Sequence, residues 1–186
     1  MNNLKTIWRT IAVMALCYAG VSCGSGNDDR MITRERVGRL TFDQKTPDMG
    51  KGYITEPDTV YSYEGTPTYC YAIVEKDSVL VARVFPGKNI EVFSPEFKTE
   101  NGIYPGMKLE EAVQVVGKEN LHLYLEPSRL YYTVQDNISG VDWALPGYQL
   151  LGGWHKYDKL SEAGMLPEFS DFLPDAVVAW ITVTNR

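Results

Sequence analysis

Leu121-His-Leu-Tyr-Leu-Glu126 decides the fold. Successive side chains of a β-strand point to opposite faces, so Leu121, Leu123 and Leu125 line one side and His122, Tyr124 and Glu126 the other. That strict alternation predicts a sheet with one face buried and one in water, the habit of antiparallel sheets. His122 falls on the wet side. Working outward, further strands are predicted at residues 130–134, 148–151 and 176–183, each rich in β-branched or aromatic residues. Upstream, residues 69–74 and 78–85 flank the short Glu75-Lys-Asp77 connection and read as a hairpin. Pro86-Gly87 stops the second strand, residues 90–94 begin a third, and 37–42 form a first strand. Residues 47–52 form a loop by their turn residues.

Against this β pattern one helix stands out. Leu109, Ala112, Val113 and Val116 fall at i, i+3, i+4 and i+7, a single apolar stripe on a helix. Glu110 and Glu111 occupy its first turn, where the dipole favours acids, and Gly117 can take the left-handed cap. A second short helix is predicted from about 159 to 163, stopped by Gly164. The class is therefore α+β: a predominantly antiparallel β-sheet with one or two short helices packed on it, in a single domain. No internal repeat or low-complexity block interrupts it.

The first thirty residues carry an address. Lys5 and Arg9 form a basic start, the apolar run from 11 to 21 follows, and Ser22-Cys23-Gly24 closes it. The run is 11 residues long, too short for a bilayer core that needs about 20. Small residues directly before Cys23 make the segment resemble a bacterial lipoprotein signal, in which that Cys becomes the lipidated first residue of the mature chain. Gly20 stands where such signals usually have Leu. Ordinary cleavage between 19 and 22 is the alternative, leaving Cys23 a plain residue. The expected organisation is a signal peptide over 1–22, a flexible tether over 23–36 and one domain over 37–186. Gly24-Ser-Gly-Asn-Asp-Asp29 has the polar, flexible composition of a tether. Its acidic end also resembles surface-export signals of Bacteroidota lipoproteins. That resemblance implies attachment to the outer membrane through lipid on Cys23, with the body on its outer face.

Composition bounds the rest. Loss of the signal leaves 164 of 186 residues, enough for one domain with a core. It also removes two basic residues, leaving 16 basic against 24 acidic side chains and moving the formal charge from −6 to −8. An acidic body argues against nucleic acid, which attracts Lys and Arg. With Cys17 in the signal and Cys23 lipidated, Cys70 remains as one thiol, so no intrachain disulfide is expected. Its apolar, aromatic neighbours predict a core position and give no electropositive setting that would activate it.

The helix lies in a segment, 93–117, that resembles one found in exported proteins of Bacteroidota. Its second half, Gly102 to Gly117, is similar to the "Gly-Met-Thr-x-x-x-Val-x-x-x-x-Gly" element of the SmpA/OmlA family, small α+β lipoproteins of the machinery that assembles outer-membrane β-barrels. The similarity covers about a tenth of the chain. Lys108 departs from it, standing where Thr or Ser usually caps the helix. The shared element is a turn, a helix and a cap, with no chemistry of its own.

Chemical constellations are few. Gly152-Gly-Trp-His-Lys-Tyr-Asp158 reads as a glycine-rich bend presenting Trp154, His155 and Tyr157, with Asp142-Trp143 a dozen residues earlier. Trp143, Trp154, Tyr157 and Tyr148 could stack on sugar rings, and His155 with Asp142 or Asp158 could act as a general base. No nucleophile elbow, zincin motif or paired Cys and His at metal spacing accompanies them, so no metal or cofactor is expected. Gly152-Gly153 lacks the lysine and Lys51 the spacing of a phosphate loop. The neighbouring acid pairs Asp28-Asp29 and Glu110-Glu111 do not converge as glycosidase carboxylates must. Three function classes follow: a non-enzymatic envelope protein engaging another envelope protein, which we favour; a surface lipoprotein binding a ligand such as a glycan; and a hydrolase using His155.

Overall fold

The computed structural model describes residues 28–62, 64–126 and 130–186. The expected signal cleavage and Cys23 lie outside the described residues. Among the described residues, twelve strands and two α-helices form around one core. The strands are β1 (Met31–Ile32), β2 (Arg36–Val37), β3 (Leu40–Thr41), β4 (Tyr53–Tyr61), β5 (Pro67–Glu75), β6 (Leu80–Phe85), β7 (Asn89–Val92), β8 (Lys98–Thr99), β9 (Leu121–Glu126), β10 (Tyr131–Asp136), β11 (Val141–Pro146) and β12 (Trp180–Thr184). The helices are α1 (Leu109–Val116) and α2 (Gly153–Glu162). The architecture is α+β and mostly antiparallel.

Eight strands make one fully antiparallel sheet in the order β4-β5-β6-β7-β12-β11-β10-β9. Its register sets two faces of opposite character, because residues paired across antiparallel strands share a side. Leu123, Val134, Trp143, Ile181, Val92, Ala82 and Ile73 are successive cross-strand partners on the inner side. All but Leu123 are fully buried. Burying each such Val, Leu or Ile contributes roughly 1.5–3 kcal/mol, and this row is the spine of the core.

The inner face is covered from three directions. A small sheet in the order β3-β2-β1-β8 brings in Ile32, Val37, Leu40 and the adjoining Phe97. Helix α1 adds Leu109, Ala112 and Val116, three of the four stripe positions; Val113 is only partly buried. Gly117 at φ 85° ends α1, its N–H donating to the Val113 carbonyl at 2.9 Å, and the Asn120 amide donates to the Val116 carbonyl at 2.8 Å. Helix α2 contributes one buried residue, Tyr157, whose ring meets Tyr132 edge-on at 5.4 Å.

Three expectations change. The tether does not run to residue 36: Met31 pairs in parallel with Lys98 on β8, and Ile32 is fully buried between β8 and β2. Residues 148–151 are not a strand. Gly147–Gln149 is a 3₁₀ turn, and only Leu150 bridges, to Phe172. The supposed bend at 152–158 is the start of α2, with Gly152 in the left-handed conformation (φ 98°) as its N-cap. Two glycines there begin a helix rather than open a pocket.

Candidate functional site

The outer side of the eight-stranded sheet carries what the inner side excludes. One step along each strand from the apolar row, the cross-strand partners are His122, Gln135, Asp142, Thr182, Glu91 and Arg83. Six neighbouring strands thus align six polar side chains in a transverse row. Asn89 and Thr184 pair alongside it on the same face, two residues further along β7 and β12. On the other flank lies an aromatic row. Trp180 meets Tyr131 edge-on at 4.8 Å and Phe93 at 5.9 Å, and the Arg83 guanidinium sits 5.5 Å over the Phe93 ring.

Charges in this row are held in fixed relations. Arg83 Nε donates to Asp58 Oδ2 at 3.0 Å, with both side chains about two-thirds buried. Arg186 reaches back from beyond β12 to the Asp142 carboxylate at 3.3 and 3.5 Å. With the Gln135 amide turned so that its NH₂ donates to the Tyr124 hydroxyl, its carbonyl accepts from both terminal Arg186 nitrogens at 2.9 and 3.0 Å. Glu91 is 3% exposed, a carboxylate at the floor of the face. Such burial requires polar company, and Arg83 and Thr182 flank it in register.

Two open clefts adjoin the end of β12, one on this face and one reaching round to Arg34, Glu35 and Phe42 beside the small sheet. One, of about 450 Å³, is lined by Lys88, Asn89, Glu91, Tyr131, Thr182, Thr184 and Asn185. The other, of about 570 Å³, is lined by Arg34, Glu35, Phe42, Gln135, Asn137, Thr184, Asn185 and Arg186. Thr184 and Asn185 belong to both, so the two clefts flank the end of β12. Asp136, although buried, is a turn-former here: its carboxylate accepts from the N–H groups of Ile138 and Ser139 and from the Ser139 hydroxyl. Arg34 lies over Gly140, donating to the Ser139 and Asn137 carbonyls at 3.4 Å.

The residues singled out from sequence gather elsewhere, around α2. Trp143 is fully buried in the spine of the core, and Tyr157 is 2% exposed. Neither offers a ring to a ligand in solvent, so the four-ring stacking surface is not assembled. Trp154 and Tyr148 are exposed (44% and 55%) and touch edge-on at 5.9 Å, 69° apart, a wedge rather than a flat platform. His155 is exposed on α2. Among the described residues no carboxylate or hydroxyl is hydrogen-bonded to its imidazole, and Asp142 is engaged on the outer face with Arg186. The dyad expected of a His155 hydrolase is therefore not formed. Among the described residues no group of three or more His, Cys, Asp and Glu is placed to hold a metal ion.

Beneath that wedge the chemistry is structural. Burial pushes the Tyr132 hydroxyl up to about 12, with the nearby Tyr157 and Asp171 adding to it. Lys156 Nζ donates to Asp171 at 2.5 Å, and this contact with the Glu168 N–H holds the Asp171 carboxyl below the ordinary range. Beside it an apolar groove of about 310 Å³ runs between α1 and the 169–174 segment, lined by Leu109, Val113, Phe169, Phe172, Leu173 and Pro174 among others.

The sequence matches no protein family and no curated protein. Among solved structures the chain is similar to the uncharacterized protein yfeY from Escherichia coli, with 12% identity and a TM-score of 0.48 over 83% of this chain and 99% of that one.

Proposed function

We propose that this is a lipid-anchored protein of the cell envelope, attached to the outer membrane through Cys23, that engages another envelope protein through its helical side. The carrying observation is where exposed apolar surface collects. Of thirteen large hydrophobic side chains exposed among the described residues, six fall between 147 and 174: Tyr148, Leu151, Trp154, Met165, Leu166 and Leu173. That segment is under a fifth of the described chain. Scattered exposed apolar residues are ordinary, whereas a cluster beside an apolar groove is the composition of a protein interface. The basic start, short apolar run and Ser22-Cys23 junction support the anchor. No helix of the described residues is long and apolar enough to cross a membrane.

Cross-linking in intact cells, followed by mass spectrometry of what co-purifies with the full chain, tests this reading. One reproducible outer-membrane partner is expected. It should be lost with Leu166→Glu and kept with Val79→Glu, an exposed apolar position in the turn before β6. No partner in cells where the protein is abundant, or a partner retained equally by both variants, would overturn it.

A further inference from the structure

The outer face of the eight-stranded sheet has no part in that interface, yet it carries six polar side chains in register across six strands. We infer that it binds a neutral oligosaccharide across the groove made by the two clefts that flank the end of β12. Three features carry the inference.

The first is shape. Both clefts are open and share Thr184 and Asn185, so a ligand that fills both must cross the end of β12. An extended chain can make that crossing, and a compact apolar ligand would leave most of the polar lining unsatisfied.

The second is hydrogen-bonding chemistry. Asn89 and Asn137 supply planar amides, beside those of Gln135 (engaged with Tyr124 and Arg186) and Asn185 (donating to the Gly87 carbonyl), and Thr182 and Thr184 supply hydroxyls. An amide presents a donor and an acceptor in one plane, and a hydroxyl is both at once. Adjacent hydroxyl groups of a sugar also donate and accept side by side, so they answer this lining group for group.

The third is charge. Arg186 is matched by Asp142, and Arg83 by Asp58. Lys88 and Arg34 remain beside Glu91 and Glu35. A phosphate-rich ligand would need a cationic excess that this balance does not supply. Asn89, Gln135, Thr182 and Thr184 sit on paired strands, so the register fixes that part of the lining.

The test is calorimetric titration of the full chain in detergent with soluble neutral polysaccharides (a glucan, a mannan, a xylan and a galactan) and with acidic polygalacturonate. Saturable binding to at least one neutral polymer is expected, changing less than about two-fold between roughly 50 and 500 mM salt. Asn137→Ala, in an exposed turn, and Thr182→Val, which keeps a strand-favouring shape, should together weaken it about ten-fold or more. Trp154→Ala, in the helical layer, should leave it within about two-fold, which separates this groove from the helical side. The inference fails if no neutral polymer binds, or if binding occurs only to polygalacturonate and vanishes with salt. It also fails if binding survives the groove variants in folded protein, or is abolished by Trp154→Ala. A lost partner in the cross-linking experiment leaves these outcomes untouched, so the two readings fall separately.

Discussion

Gly147 lies directly under the ring of Tyr157: a β-carbon on it would stand 2.4 Å from Tyr157 Cδ2 and 2.8 Å from Trp154 Cζ3. The glycine is there for close approach, letting the 3₁₀ turn after β11 press against α2. Gly147→Ala should therefore destabilise the protein by about 1–3 kcal/mol through overpacking. Urea unfolding with an unchanged m-value would report it. It should also disturb the Tyr148–Trp154 wedge, seen as a shift in tryptophan emission.

Helix α1 has the opposite fault, a missing group. Lys108 is its N-cap and makes no side-chain cap hydrogen bond. The Leu109 N–H is satisfied by the Ala176 carbonyl at 2.8 Å, while the next donors of the first turn have no capping acceptor from Lys108. Lys108→Ser should gain about 0.5–1 kcal/mol, measured as a raised denaturation midpoint. The side chain is exposed, so little is lost with the lysine.

Tyr132 gives the molecule an alkaline limit. Its hydroxyl is fully buried and has no hydrogen-bond partner among the described residues. Its pKa is raised from 10.0 to about 12, so the neutral form is the one the fold accepts. Below pH 10 both folded and unfolded chains hold the proton and the site adds no pH dependence. Above it the unfolded chain ionises first, and stability falls by up to about 1.4 kcal/mol per pH unit until the folded pKa is reached. Tyr132→Phe should remove this component and be neutral to stabilising by about 1 kcal/mol at pH 7, since it deletes a buried donor without an acceptor. Stability of both proteins between pH 8 and 11 checks the sign (roughly one unit of slope is enough).

The proposed anchor makes a simple prediction at Cys23. Cys23→Ser should move the protein from the membrane fraction to the soluble fraction and abolish incorporation of labelled palmitate. Unchanged membrane retention would sink the anchor. The groove should bind its polysaccharide equally well in the released protein, because no lining residue lies before Arg34.

Much of this architecture is written locally. The alternation of Leu121 to Leu125 and the stripe of Leu109 to Val116 each depend on one element's own period, and both elements form where expected. β4 escapes because Pro57, Glu56 and Asp58 break its pattern. It is an edge strand, the place where a residue lacking an N–H is tolerated. β11 hides because Asp142-Trp143 reads as a polar-aromatic pair when its two side chains point to opposite faces. For the outer-face row the signal is present in pieces. Arg83, Glu91 and Thr182 each interrupt an apolar strand on its alternate side. What a single sequence withholds is the register that puts them opposite one another, since a slip of one residue would turn every one inward.

The early entry of the chain into the small sheet sets a limit on movement. Ile32 is already fully buried, only nine residues after Cys23. Nine residues span at most about 30 Å, less than the ~40 Å diameter of a globule this size. With lipid on Cys23, the body cannot stand off from the bilayer by its own width. It can pivot but not roam. Whether the helical side or the groove meets its ligand would then be decided by orientation on the membrane surface, and an immobile polymer could be reached only if it comes to that surface.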